Sequence, residues 1–295
     1  MQAVPATVRI TLSNVLFATD FSEVSKAALP FATQLAQRYG GKVFVAHVMP
    51  PYEPYLSVPL EPVPVDLDRF WQREQQNLTE LAAASWFGDV PHEEILQRGD
   101  LWPTIADIIQ RKKIDVVVAG THGHRGLKKV VLGSSAEKIY RHAQCPVLTV
   151  GPEVAERCQE GWDLKQIVFA TDFSETSLQA LPYALSLAEE NQATLAFLHV
   201  VSLVPVDQDK DSVKRNTREQ LEKLMPAEPW CNPEFVVGFD FPAQGILRVA
   251  RERNADLIVM GVKKPTGVAQ TLHLPWSTAA EVVSGAPCPV LTVRG

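Results

Sequence analysis

The sequence predicts an α/β fold written twice, each half a parallel β-sheet covered by helices on both faces. Residues 15–48 align without gaps to residues 167–200, at an offset of 152, and sixteen of those 34 pairs are identical. Val15-Leu-Phe-Ala-Thr-Asp-Phe-Ser-Glu23 returns as Ile167-Val-Phe-Ala-Thr-Asp-Phe-Ser-Glu175, and Cys145-Pro-Val-Leu-Thr-Val150 as Cys288-Pro-Val-Leu-Thr-Val293. A period of ~150 residues signals duplicated domains, because solenoid repeats run only ~20–50 residues. Within each half, short runs of Val, Ile and Leu alternate with helical patterns, as strands buried on both faces require. The expected boundaries are 1–150 and 166–295, with a linker at 151–165.

The elements of the first half follow in order. Val15–Thr19 reads as a buried strand, and Ser22 as the N-cap of a helix with an apolar face of Ala27/Ala28, Phe31/Ala32 and Leu35/Ala36. Pro30 inside that helix, repeated as Pro182, should kink it or delay its start. Lys42–Val48 is the second strand, and the six prolines between Met49 and Val65 mark an extended loop. Helices are expected at 66–84, 103–112 and 135–143, and strands at 93–97, 115–119 and 146–150.

Composition narrows the function classes. Hydrophobic residues make up 46% and charged residues 21%, an ordinary globular balance, and the net charge of -6 argues against a nucleic-acid or membrane-surface role. No apolar stretch approaches the ~20 residues of a membrane span. The first thirteen residues lack the layout of a secretion signal, so a cytoplasmic location is expected. Cys145, Cys158, Cys231 and Cys288 lie far apart without metal-ligand spacing, and Cys145 and Cys288, at equivalent places in apolar runs, read as buried free thiols.

The chemistry concentrates after the fourth strand. Val116-Val-Val-Ala119 empties into Gly120-Thr-His-Gly123, and nine residues later Gly133-Ser134-Ser135 opens a helix. Glycines let main-chain N–H groups approach an anion, and a helix start adds unpaired donors and partial positive charge. Ligands of parallel sheets bind beyond the strand C-termini where strand order reverses. Asp20 and Gly120 meet there if the first and fourth strands are neighbours. Ser134 with Glu137 is also a capping box, which explains the serine without any ligand.

These motifs resemble the tandem universal stress proteins. The spacing G-x2-G-x9-G-[ST] is met by Gly120, Gly123, Gly133 and Ser134, and the Thr-Asp-Phe-Ser segment and the His-Val closing the second strand are further hallmarks. The resemblance implies two Rossmann-like domains, each with five parallel strands in the order 3-2-1-4-5, and the fifth strands packing the halves as a pseudo-dimer. It also implies ATP, with Mg²⁺, across the sheet's C-terminal edge. Ala18 and Thr19 would line the base pocket, Asp20 would face ribose or metal, and Val48 would meet adenine through its backbone. Gly120, Gly123, Gly133, Ser134 and Ser135 would hold the phosphates, with Arg125 as an outer contact.

The second half departs from this pattern. Lys264 stands where the first half has Gly123, and Pro265 follows it, so the main-chain cradle is expected to fail there. Asp172 and Val200 remain, enough for a nucleoside-sized pocket. The reading is a nucleotide-binding regulatory protein with one competent phosphate site, associating as a homodimer or with a regulatory protein. Two other classes compete: a scaffold that binds no nucleotide, and an adenylyl-transferring enzyme. Thr121-His-Gly-His124 resembles the T-x-G-H of the latter, but that motif belongs after a first strand and here follows the fourth.

Overall fold

The computed structural model describes residues 10–51, 66–83, 85–121, 134–151, 154, 161–204, 209–226, 232–263 and 278–295. The first half contains β1 (Asn14–Ala18), α1 (Glu23–Lys26), α2 (Leu29–Arg38), β2 (Lys42–Met49), α3 (Leu67–Ala82), β3 (His92–Arg98), α4 (Leu101–Lys112), β4 (Val116–Gly120), α5 (Ser134–His142) and β5 (Val147–Val150). The second repeats the order as β6 (Gln166–Ala170), α6 (Glu175–Leu178), α7 (Leu181–Asn191), β7 (Thr194–Val201), α8 (Lys210–Glu222), β8 (Asn232–Phe239), α9 (Pro242–Glu252), β9 (Leu257–Val262), α10 (Thr278–Gly285) and β10 (Val290–Arg294).

All these strands form one ten-stranded sheet, β3-β2-β1-β4-β5-β10-β9-β6-β7-β8. Each half has the expected order 3-2-1-4-5 with parallel pairing, and the halves join where β5 and β10 run antiparallel. Leu148 lies in register with Leu291, and Thr149 with Val290. The repeated threonine ties the two strands together through its side chain. Thr149 Oγ1 donates to the Val290 carbonyl at 3.2 Å, and Thr292 Oγ1 donates to that of Val147 at the same distance.

Local rules explain the helix boundaries. Ser22 caps α1 by accepting from Ser25 N–H, and Ser174 does the same for Ser177 in α6. Pro30 delays the helix rather than kinking it. α1 stops at Lys26 and α2 restarts at Leu29, with the proline in the first turn, where its missing N–H costs nothing. Pro182 repeats this at the start of α7. The aspartate that opens both fourth-strand motifs ties sheet to turn: Asp115 Oδ2 accepts from Asn14 N–H, and Asp256 Oδ2 from those of Lys165 and Gln166.

Alternating strand residues build two apolar layers. On one face Val15, Phe17, Val45 and Val118 meet Phe31 and Leu35 of α2, Leu78 of α3 and their second-half counterparts. On the other, Leu16, Phe44 and Val117 meet Ile105 and Ile108 of α4 and Ile139 of α5. Each fully buried side chain of this size contributes about 1.5–3 kcal/mol. Trp162, just before β6, fastens the halves further. It packs edge-on against Phe31 at 5.1 Å, accepts an approach from the Arg38 guanidinium, and donates Nε1–H to the Asp256 carbonyl.

Candidate functional site: the sheet edge in both halves

The adjacency on which the site depends holds: β1 lies between β2 and β4, with Ala18 opposite Ala46 on one side and Ala119 on the other. The sheet edge where strand order reverses therefore carries Thr19-Asp20 after β1, Val48 near the end of β2 and Gly120 ending β4. Ala18 and Val48 are partly exposed at these strand ends, and Asp20 is exposed.

The Thr-Asp-Phe-Ser segment is a tightly bonded turn. Phe21 takes a left-handed conformation (φ 62°), unusual for a bulky residue, and the surrounding bonds hold it there. Thr19 Oγ1 accepts from Phe21 N–H at 3.0 Å, and Asp20 Oδ1 accepts from Ser22 N–H at 3.0 Å and Ser22 Oγ at 2.6 Å. The buried Thr19 hydroxyl also meets Ser25 Oγ at 3.0 Å, so that side chain faces α1. His47 donates Nδ1–H to the Thr19 carbonyl at 2.8 Å and stacks on Phe21, a structural duty in keeping with a packed histidine. Every one of these features recurs around Phe173 (φ 60°), Thr171, Asp172 and His199.

Gly120 has a reason of its own to lack a side chain. A Cβ there would stand 2.4 Å from the Val24 carbonyl oxygen, and one at Gly261 would stand 2.4 Å from that of Thr176. The glycine admits the first short helix against the strand end in both halves. Ser134 begins α5, and Ser135 is exposed in its first turn. Gly123, Arg125 and Gly133 lie outside the described residues, as do His122, His124 and Lys128.

A cavity of about 570 Å³ opens at the equivalent edge of the second half. Leu198, Val200, Ile246 and Met260 give it an apolar wall, while Thr171 and Asp172 face it from the turn. Sequence reasoning kept a pocket here but missed two of its walls, Tyr140 and Arg141, which come from α5 of the first half. Arg141 pairs with Glu137 one turn earlier at 2.7 Å, which in a sequence reads as an ordinary surface pair. Lys263, also in the lining, approaches Asp172 at 3.5 Å.

Burial alone would raise the Asp172 carboxyl. Hydrogen bonds from the Ser174 hydroxyl and amide and from Ser177, with the Lys263 charge, instead hold it down at about 2. A depressed carboxyl contributes stability above its unfolded value of 3.8 and loses it as pH falls through about 2. Asp172→Asn should therefore narrow its Tm deficit against wild type between pH 5 and pH 2.5. A deficit of the same size at both pH values would refute the assignment. The gain is small because the group is half-exposed and screened.

Among the described residues, no group of three or more His, Cys, Asp or Glu side chains is placed to hold a metal, and no helix is long and apolar enough to cross a membrane.

The order 3-2-1-4-5, parallel within each half and covered by helices, defines the class of doubly wound α/β domains. The universal stress protein family model matches residues 11–151 and again 164–294. The chain belongs to the universal stress protein family. It is 31% identical over 140 residues to universal stress protein MJ0531 of Methanocaldococcus jannaschii, covering 46% of this chain and 81% of that one. It is 25% identical over 313 residues to universal stress protein Rv1996 of Mycobacterium tuberculosis, covering 95% of each. Among solved structures, a universal stress protein from Archaeoglobus fulgidus superposes with a TM-score of 0.71 at 22% identity, over 97% of this chain and 99% of that one. That last likeness speaks for the fold.

Proposed function

We propose that this chain is a nucleotide-binding regulator of the stress response, holding ATP with Mg²⁺ at the sheet edge of its first half. The observation that carries the reading is the adjacency of β1 and β4. It brings the Thr19-Asp20 turn beside Gly120, from which the glycine-bearing loop departs in the sequence. The described residues fit a nucleoside: Ala18 and Val48 offer partly exposed apolar contacts, and Asp20 an exposed carboxylate for ribose or metal. The backbone of Gly123 and Gly133 and the start of α5 at Ser134 and Ser135 would hold the phosphates, with Arg125 outside them. Mg²⁺ would take further oxygen ligands from the phosphates themselves. Its role would be regulatory, in the cytoplasm, with nucleotide occupancy biasing a surface for a second copy or another protein. Occupancy at ~100 times the dissociation constant adds ~2.7 kcal/mol to stability, enough to register as a thermal shift.

Gly123→Val is expected to abolish the Tm rise produced by ATP while leaving the ligand-free far-UV spectrum unaltered. Unchanged ATP affinity in that variant would count directly against the reading. One observation favours the scaffold alternative. The Asp20 turn is held by its own bonds to Ser22 and recurs in the half without the glycine loop, and Gly120 is demanded by packing. Absence of both co-purified nucleotide and any ATP-induced thermal shift would decide for the scaffold.

A further inference from the structure

The sheet ends in two edge strands, β3 and β8, each paired on one side only among the described residues. An open edge offers unpaired N–H and C=O groups that another strand can take up, and proteins blunt such edges with charges. β3 is blunted in this way. Its seven residues include His92, Glu93, Glu94 and Arg98, with Glu93 held by both Lys42 and Lys112. β8 reads Asn-Pro-Glu-Phe-Val-Val-Gly-Phe, and its carboxylate, Glu234, is already paired with Arg253. The Asp240 amide, one residue past β8, donates to the Val201 carbonyl. Alternation then turns the backbone groups of Glu234, Val236 and Gly238 toward β7 and those of Phe235, Val237 and Phe239 outward. Pro233 shares that outward side, where its missing N–H costs no bond to β7. The apolar surface continues past the strand ends, where Phe241 is 75% exposed and Leu203 86%.

We propose that β8 docks on β8 of a second copy of this chain, antiparallel about a two-fold axis, so that one sheet runs through both chains. Identical strands suit this pairing, because a two-fold contact needs a surface complementary to itself. With the axis at Val236, Phe235 of each copy stands opposite Val237 of the other, and Phe239 opposite Pro233. About six main-chain hydrogen bonds would then close the edge. The same register sets Glu234 over Gly238 of the other copy, where a Cβ would lie 3.9 Å from Arg248 Nη2. Arg248 also reaches Asp240 and Glu252 in its own chain, but Glu234 arrives with Arg253 and adds no net charge. Moving the axis to Val237 would instead oppose Glu234 to Asp240, two carboxylates face to face. The area suffices as well. Eight residues at ~3.3 Å each span about 26 Å. Three layers of ~10 Å make that edge about 30 Å deep, which gives roughly the 800 Å² per partner of a stable interface. Both outer layers are present, since α8 packs on β8 and β7, and α9 on β7. The pairing makes no use of the nucleotide reading and stands or falls apart from it.

Sedimentation equilibrium of the full chain tests this with wild type, Val237→Pro, Leu96→Pro and Val236→Cys. Wild type is expected to be a dimer. Val237→Pro should weaken it ~tenfold or more, since each copy loses a donor beside the axis. The Gly99 amide donates to the Met49 carbonyl, so Leu96 holds the matching outward position on β3. Leu96→Pro therefore makes the same change at the other edge and should leave the dimer within about twofold. Far-UV spectra and Tm check that each proline variant folds. Val236→Cys reads the register independently of affinity. Opposed Cα atoms ~4.5 Å apart lie within disulfide reach, so oxidation should link the two substituted positions, as mapped by mass spectrometry. A monomeric wild type at submillimolar concentration would overturn the proposal, whatever else the edge then binds. So would a dimer that survives Val237→Pro with a native spectrum, or one that Leu96→Pro weakens as much. If Val237→Pro does not fold, the oxidised Val236→Cys chain decides alone, and a link through the native cysteines only would overturn the pairing.

Discussion

Gly120→Ala and Gly261→Ala are each expected to lower the Tm of the ligand-free protein by roughly 10 °C, a cost of about 3 kcal/mol. The first methyl group would enter the space of the Val24 carbonyl oxygen at 2.4 Å and Ser25 Cα at 2.8 Å. The second would meet the Thr176 carbonyl oxygen at 2.4 Å and Ser177 Cα at 2.5 Å. These are backbone atoms and cannot rotate away. The helices that carry them are pinned as well, α1 through the Ser22 cap and the Thr19–Ser25 hydroxyl contact, and α6 through Ser174 and Thr171. The strand end itself would have to move. The pair of variants separates two reasons for a glycine. If the residue serves only an approaching phosphate, Gly261→Ala should be harmless, since the second half lacks the rest of the motif. A Tm change below about 2 °C at Gly261 would remove the packing explanation.

That glycine illustrates what a sequence can and cannot disclose. Gly120 at the end of an apolar run is legible as a close-approach point, but the approaching group is not. The helix that packs on it belongs to another part of the chain, and only the folded sheet brings the two together. Local features read well for the same reason in reverse. The Ser22 cap acts within three residues, and the Val-rich runs carry their own burial. Pro30 was visible as an obstacle, and the break between Lys26 and Leu29 is the local answer to it. Strand order was a matter of resemblance, because β1 and β4 pair across a long stretch of intervening chain. The cavity wall from α5 was hidden more deeply. Nothing near Arg141 in the sequence points toward the second half, and its pairing with Glu137 already accounts for it.

The junction of the two halves rests on a short seam, and Leu148→Asp is expected to open it. Leu148 is 1% exposed and in register with Leu291, in the middle of the three paired positions between β5 and β10. Losing the leucine costs about 2–5 kcal/mol in packing. An unpaired carboxylate on this buried strand adds several more, because Leu148 packs within a cluster of buried apolar side chains. Together these should lower the Tm by roughly 10 °C or more. Burial would raise the introduced carboxyl above its ordinary value, so the loss should shrink as pH falls toward 4 and grow toward pH 7. Leu148→Met keeps the volume and apolar character and should cost less than about 1.5 kcal/mol. The contrast matters for function as much as for stability, since α5, which leads into β5, also closes the shared cavity with Tyr140 and Arg141. A seam held mainly by Trp162 against Phe31 and by the Tyr39–Glu190 hydrogen bond would instead tolerate the substitution. Thermal unfolding of Leu148→Asp within 3 °C of wild type would therefore shift the weight of the interface from the paired strands to those contacts.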